Sequence, residues 1–364
     1  MRNVLTALVL IAVIGAILYL EKSRPLSPRA STATPVDVAL TKEEKEGRYE
    51  RAKEITTPDG FLNSDPFTLA DHIGKKVILL DIWTYSCINC QRTIPYLNSW
   101  WKAYEDQGLL IVGLHTPEFE FEKEIENVRK AATNFGIGYP VVLDNDYSTW
   151  RAYRNQYWPR KYLIDIDGYV VYDHIGEGGY DETEAAILAA LQERSVRLGF
   201  PPPVARRVAP VSSVADATPR VGSPEVYFGA DRNELLGNGR SGSAGEQMFF
   251  LPKTIERNTL YLGGSWRITP EYAESAGSAS IIFRYRAKEV YMVASAEEGV
   301  EIEIFRDGKA LGSMAGEDVS AAESRVSVQD ERLYKLIRDT VSGEHTIEIR
   351  IKNAGFRAFT FTFG

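Results

Sequence analysis

KKVILLDIWTYSCINCQRTIP, residues 75–95, decides the fold of the first half of this chain and holds its only two cysteines, Cys87 and Cys90. The run KVILLDI has the character of a buried strand. QRTIPYLNSWWKAY, beginning directly after Cys90, continues as a helix, so Cys87 is expected at a helix N-terminus. There the unpaired N–H groups and the helix dipole favour a thiolate.

Two cysteines at this spacing can close a structural disulfide, supply half of a metal site or form a redox couple. Closing a four-residue loop removes little unfolded-state entropy, roughly 2 kcal/mol, so stability alone explains the spacing poorly. A zinc site needs about four ligands, and His72, His115, His174 and His345 are nowhere paired at ligand spacing. His115, at the end of a predicted strand, is the one placed candidate, but a lone histidine is more often simply hydrogen-bonded, and no metal is expected. In the redox reading Cys87 attacks a disulfide, and Cys90, one turn on and deeper, breaks the mixed disulfide. No cofactor beyond a redox-active Cys87–Cys90 disulfide is then needed.

Outward from this stretch, strand-like and helix-like runs alternate. LLIVGLH (109–115) and YPVVLD (139–144) read as strands, 121–136 and 148–156 contain helices, RKYLIDIDGYVVYDHI (160–175) turns at Asp167-Gly168, and 181–198 is a helix. Such alternation predicts an α/β layer fold. Thr41 to Glu54 reads as a charged helix. Beyond a stretch rich in proline and small residues the period changes to two: VEIEIF (300–305), TIEIRI (346–351) and the final FTFTFG read as strands with one wet face, and Asp307-Gly308 is a hairpin signal. Five or six strands with turns every ten or so residues suggest an all-β sandwich of jelly-roll type.

Val4 to Leu20 is apolar except for Thr6 and Tyr19, just long enough to span a bilayer. No small-x-small site closely follows Leu20, which favours a retained transmembrane anchor over a cleaved signal peptide. Lys22, Arg24 and Arg29 on the far side run against the positive-inside tendency. The expected organisation is an anchor (1–22), a tether (23–40), an α/β redox domain (41–199), a Pro-rich linker (200–224) and a β domain (225–364). A net charge of −8 without a basic stripe argues against nucleic-acid binding.

VILLDIWTYSCINC resembles the strand, active site and helix opening of the thioredoxin superfamily. WTYSCINCQRTIPYLNSW, HTPEFEFE and DNDYSTWRAYRNQYWPRKYLID, in that order, resemble the soluble part of DipZ-type proteins, relatives of the TlpA and ResA thiol:disulfide oxidoreductases. The resemblance implies that Cys87 attacks and Cys90 resolves. Asp81, six residues before Cys87, matches the buried acid beneath the disulfide, whose raised pKa suits it to take the proton of Cys90. Pro159 matches the proline that is cis and faces the disulfide, with Trp158 flanking the substrate groove. Glu118 matches a glutamate near the active site of ResA-like proteins, although a solvated acidic run with Glu120, Glu122 and Glu124 explains it equally well. Trp83 stands where the superfamily keeps an aromatic before the motif, and Ser86, in place of the usual tryptophan, alters the exposed rim.

The same resemblance implies protein disulfide or dithiol substrates, apocytochrome c among them at family level, and work outside the cytoplasm behind the membrane anchor. DipZ proteins carry a multispanning electron-transfer domain and one candidate span stands here, so a separate CcdA/DsbD-like membrane donor is expected. The β region resembles the carbohydrate-binding-module-like domain of DipZ, with Tyr227, Trp266, Tyr272, Tyr285, Tyr291 and Tyr334 available to stack on sugars or to fill a core. The competing class is a glycan- or partner-binding protein whose cysteines are structural. The direction of electron flow does not follow from Ile88 and Asn89.

Overall fold

The computed structural model describes residues 41–206 and 222–364. The apolar segment Val4 to Leu20, the tether and most of the Pro-rich stretch lie outside the described residues. Among the described residues no helix is long and apolar enough to cross a membrane.

The first domain is built on a six-stranded sheet of order β1-β4-β3-β2-β5-β6. Its strands are β1 (Gly60–Leu62), β2 (Val77–Trp83), β3 (Leu109–His115), β4 (Val141–Leu143), β5 (Arg160–Ile164) and β6 (Val170–Ile175). β2, β3 and β4 are parallel, while β1, β5 and β6 run antiparallel to their neighbours. Every residue of β2 and β3 is buried, Asp81 and His115 included, which is why both read as largely apolar runs. Gly113 in β3 permits close packing there: a Cβ would sit 3.0 Å from the Trp83 indole nitrogen and 3.1 Å from the Tyr139 ring. The helices are α1 (Lys42–Glu46), α2 (Ile88–Tyr104), α3 (Ile125–Asn134), α4 (Ser148–Ala152) and α5 (Tyr180–Leu198).

The charged helix expected over Thr41 to Glu54 is only the five residues of α1. Tertiary partners override helix propensity here. Lys45 is 2% exposed and its ammonium meets Asp165 at 2.6 Å, Asp167 at 2.9 Å and the Glu193 carboxylate. The helix ends in a turn, with the N–H groups of Arg48 (3.0 Å) and Tyr49 (2.8 Å) donating to the Lys45 carbonyl, and further on Glu54 accepts the N–H groups of Leu69 (2.6 Å) and Ala70 (3.0 Å).

The second domain is all β. Nine strands, rather than five or six, form one sheet: β7 (Val226–Tyr227), β8 (Gly245–Phe249), β9 (Leu260–Ile268), β10 (Ala273–Ala296), β11 (Val300–Arg306), β12 (Lys309–Ala310), β13 (Arg325–Val328), β14 (Arg332–Ile351) and β15 (Phe356–Phe363). Two of them are long, β10 with 24 residues and β14 with 20, and their pairing carries register shifts at Ala287/Glu289 and Val290/Tyr291. Ala358 of β15 pairs with Ala273 at one end of β10 and with Ala294 at the other, so the sheet curls back on itself. The Asp307-Gly308 hairpin is present, with both residues at positive φ and Arg306 paired to Lys309. Val300, Ile302 and Ile304 face the core as their alternation predicts.

FTFTFG departs from the one-wet-face reading, because almost all of β15 is buried on both faces. Phe361 and Phe363 belong to the core of the β domain, whereas Phe359 belongs with Tyr291, Val293 and Leu333 to the core of the redox domain. The Phe359 ring centroid lies 5.1 Å from Phe119, 4.9 Å from Phe121 and 5.1 Å from Tyr272. Polar contacts extend the joint. Arg92 of α2 reaches Glu289 (2.8 Å) and the Tyr291 hydroxyl (3.0 Å) in β10, and Tyr85 donates to the Glu331 carbonyl (3.2 Å). The two domains therefore share an interface core, and residues Lys42–Gly364 pack as one compact unit.

Candidate active site

Cys87 is the N-cap of α2, with φ −79° and ψ 120°, and is half-buried; Cys90, one turn on, is 1% exposed, and both are free thiols. Burial, then hydrogen bonding to Cys87, pushes the Cys90 thiol well above its ordinary value. The Trp158–Pro159 peptide is cis. The Trp158 carbonyl oxygen lies 4.0 Å from Cys87 Sγ, and its indole N–H donates to the Thr116 carbonyl at 3.0 Å. The structure thus brings Trp158, Pro159 and Cys87 together.

Asp81 is 1% exposed on β2, directly opposite Lys161 of β5, which is 0% exposed. Burial pushes the Asp81 carboxyl up to about 7, against the opposing pull of the Lys161 charge. Burial likewise lowers the pKa of Lys161, with Asp81 and Cys90 resisting. The lysine escaped sequence reasoning, although its signal was present: a cation inside the strand RKYLI needs a buried partner.

The acidic run after Glu118 resolves into distinct roles. Glu122 is fully buried and accepts the N–H groups of Ser86 (3.2 Å), Glu118 (2.5 Å) and Phe119 (3.0 Å). It ties the residue before Cys87 to the following loop, and burial raises its pKa. Ser86 is for this reason interior, 1% exposed, rather than on the rim. Trp83, also 1% exposed, is not on the rim either: it packs edge-on against His115 at 5.0 Å. Burial drives the His115 pKa down to about 3, and its ring nitrogens have no hydrogen-bond partner among the described residues.

Glu118 does face the site. It lines a cleft of about 380 Å³ with Cys87, Tyr157 and Trp158, and Glu225, Tyr227 and Arg232 of the β domain line the same cleft. Tyr227 and Arg232 each reach the Glu118 carboxylate at 2.9 Å. Nothing in the local sequence around Cys87 pointed to this contribution. Of the aromatics considered for sugar stacking, Trp266, Tyr285, Tyr291 and Tyr334 are buried and present no face to a sugar.

Two domain families match the chain. One described as AhpC/TSA family covers residues 49–173, and one described as Thioredoxin like C-terminal domain covers residues 223–364. Over 170 residues the chain is 30% identical to the thiol-disulfide oxidoreductase ResA of Geobacillus thermodenitrificans, which spans 47% of this chain and 83% of that protein. The chain belongs to the thiol-disulfide oxidoreductase family. Protein DipZ of Mycobacterium tuberculosis is 38% identical over 319 residues, which is 85% of this chain but 43% of DipZ. The chain therefore spans less than half the length of that relative. The thiol-disulfide oxidoreductase YkuV of Bacillus subtilis is 29% identical over 140 residues, 38% of this chain and 93% of YkuV. In this chain the expected thioredoxin-like elements are in place, and the β domain forms part of the cleft beside Cys87.

Proposed function

We propose that this enzyme is a membrane-tethered, extracytoplasmic reductant or isomerase of protein disulfides, working through Cys87 and Cys90. The observation that carries the reading is a half-buried Cys87 opening on a cleft, with buried Cys90 one turn behind it and a buried carboxyl beneath. The Cys87 thiolate attacks one sulfur of a substrate disulfide, and the other sulfur leaves as a thiolate. Cys90 then gives its proton to Asp81 and attacks Cys87 Sγ, expelling the second substrate thiolate. The substrate gains two electrons and the enzyme is left with a Cys87–Cys90 disulfide. A CcdA/DsbD-like membrane protein would return those electrons, and cytochrome c maturation is a process that needs such a reductant. A carbohydrate ligand for the β domain rests on family resemblance.

The test is a titration of the chain against glutathione or dithiothreitol buffers, following Cys87 and Cys90 by alkylation and mass. One two-electron transition near or below about −250 mV supports a reductant, and one near −120 mV reverses the direction to oxidase. A pair that is inert in the native protein yet exchanges once unfolded would sink the redox reading.

A second expectation concerns Asp81. As the proton acceptor it must be ionised, so resolution of the mixed disulfide accelerates as pH rises through about 7. Lys161→Met removes the charge that holds the Asp81 pKa down. The midpoint should move to higher pH by about one unit, read as the decay of a preformed mixed disulfide in stopped flow. A midpoint that stays put or falls would remove Asp81 from this role.

A further inference from the structure

The β domain lines part of the cleft of Cys87, and the charges gathered there do not cancel. Arg232 bonds Glu118 at 2.9 Å while its guanidinium carbon lies 3.7 Å from the centroid of the Tyr227 ring. The Tyr227 hydroxyl is 2.9 Å from Glu118 Oε1 and 2.9 Å from Glu225 Oε2. With one hydrogen it can satisfy only one of the two carboxylates. Glu118 has its counter-charge in Arg232. Glu225 has no cation bonded to it among the described residues, is solvent-exposed, and lines the same cleft as Cys87.

We infer that the β domain selects substrates for the redox cysteine: Glu225 pairs with a lysine or arginine beside the substrate cystine, so extended cationic disulfide segments react in preference to anionic ones. This rests on the oxidoreductase reading of Cys87 and adds to it a recognition element from the second domain. The shape of the site agrees. A cleft lined by both domains admits an extended segment more readily than a disulfide set flush in a folded surface. An exposed carboxylate lining it steers and holds positive charge, with an effect that salt screens. The competing role for the Glu118–Tyr227–Glu225–Arg232 group is a staple between domains, and the two differ in what removal of one charge does.

Two ten-residue peptides serve as probes, each with one cysteine as a mixed disulfide with thionitrobenzoate, flanked by lysines in one and by glutamates in the other. Each rate with the full chain is divided by the rate of dithiothreitol on the same peptide, which cancels the intrinsic effect of peptide charge. The lysine peptide is expected to be favoured about fivefold at low salt. Glu225→Gln, which can still bond Tyr227, should bring the ratio to about one, and Glu225→Lys should invert it. Equal normalised rates in the unaltered chain, or a preference that survives Glu225→Gln, overturns the inference and leaves the oxidoreductase reading standing. An unaltered chain that reduces neither peptide overturns both.

Discussion

Cys87→Ser is expected to lower disulfide reduction by about three orders of magnitude or more while the chain stays folded. A serine hydroxyl does not ionise near neutral pH and cannot form the mixed disulfide. Cys90 cannot take over, because it is 1% exposed behind the helix N-terminus and burial holds it as the thiol. Cys90→Ser should behave differently: the first attack survives, resolution fails, and a covalent enzyme–substrate adduct accumulates that mass spectrometry detects and excess dithiothreitol releases. The two variants together assign the roles. Turnover above about one per cent in Cys87→Ser, or an adduct that forms on Cys90 instead, would contradict the assignment drawn from burial.

Phe359→Ala should destabilise the protein by about 3–5 kcal/mol. The side chain is 3% exposed and fills the joint between Phe119, Phe121 and Tyr272. The residues on either side of it are held twice over, Ala358 by the two ends of β10 and Thr360 by β10 and β7, so the backbone has little freedom to settle into the space left behind. Denaturant unfolding followed by near-ultraviolet circular dichroism reads both domains, since Trp83 and Trp100 are buried in one core and Trp266 in the other. One coincident transition, shifted as a whole, is expected. Two separate transitions, or a loss below about 1 kcal/mol, would mean that the domains are stabilised independently.

Much of the first domain was legible because its signals are local. A largely apolar strand, a Cys-x-x-Cys pair at a helix start and a proline ahead of the next strand each declare themselves within ten residues. Lys161 and Glu122 were harder, since burial of a charge depends on partners far along the chain: the strand beside Lys161 is β2, and Glu122 bonds the N–H of Ser86, 36 residues away. The joint was invisible for a different reason. Phe359 sits in a phenylalanine–threonine alternation that predicts one buried face, and nothing in a period-two pattern says that the supposed wet face is covered by another domain. Glu225, Tyr227 and Arg232 reach the cleft only through that docking. The short α1 shows the converse error, where propensity promised a longer helix than the contacts of Lys45 and Glu54 permit.

β15 also bears on what can be exchanged between proteins of this build. Along its eight residues, Phe361 and Phe363 serve one interior and Phe359 the other, while Thr362 and Phe363 border the cleft of Cys87. A redox domain excised from this chain would carry away a raw apolar face where Phe359 had sat. A β domain from another source would have to match that face, the register of its last strand and the rim of the cleft all at once. The two domains are in this sense a single heritable part, and chimaeras cut in the Pro-rich stretch between them should fail at the seam even when each half folds well in its parent.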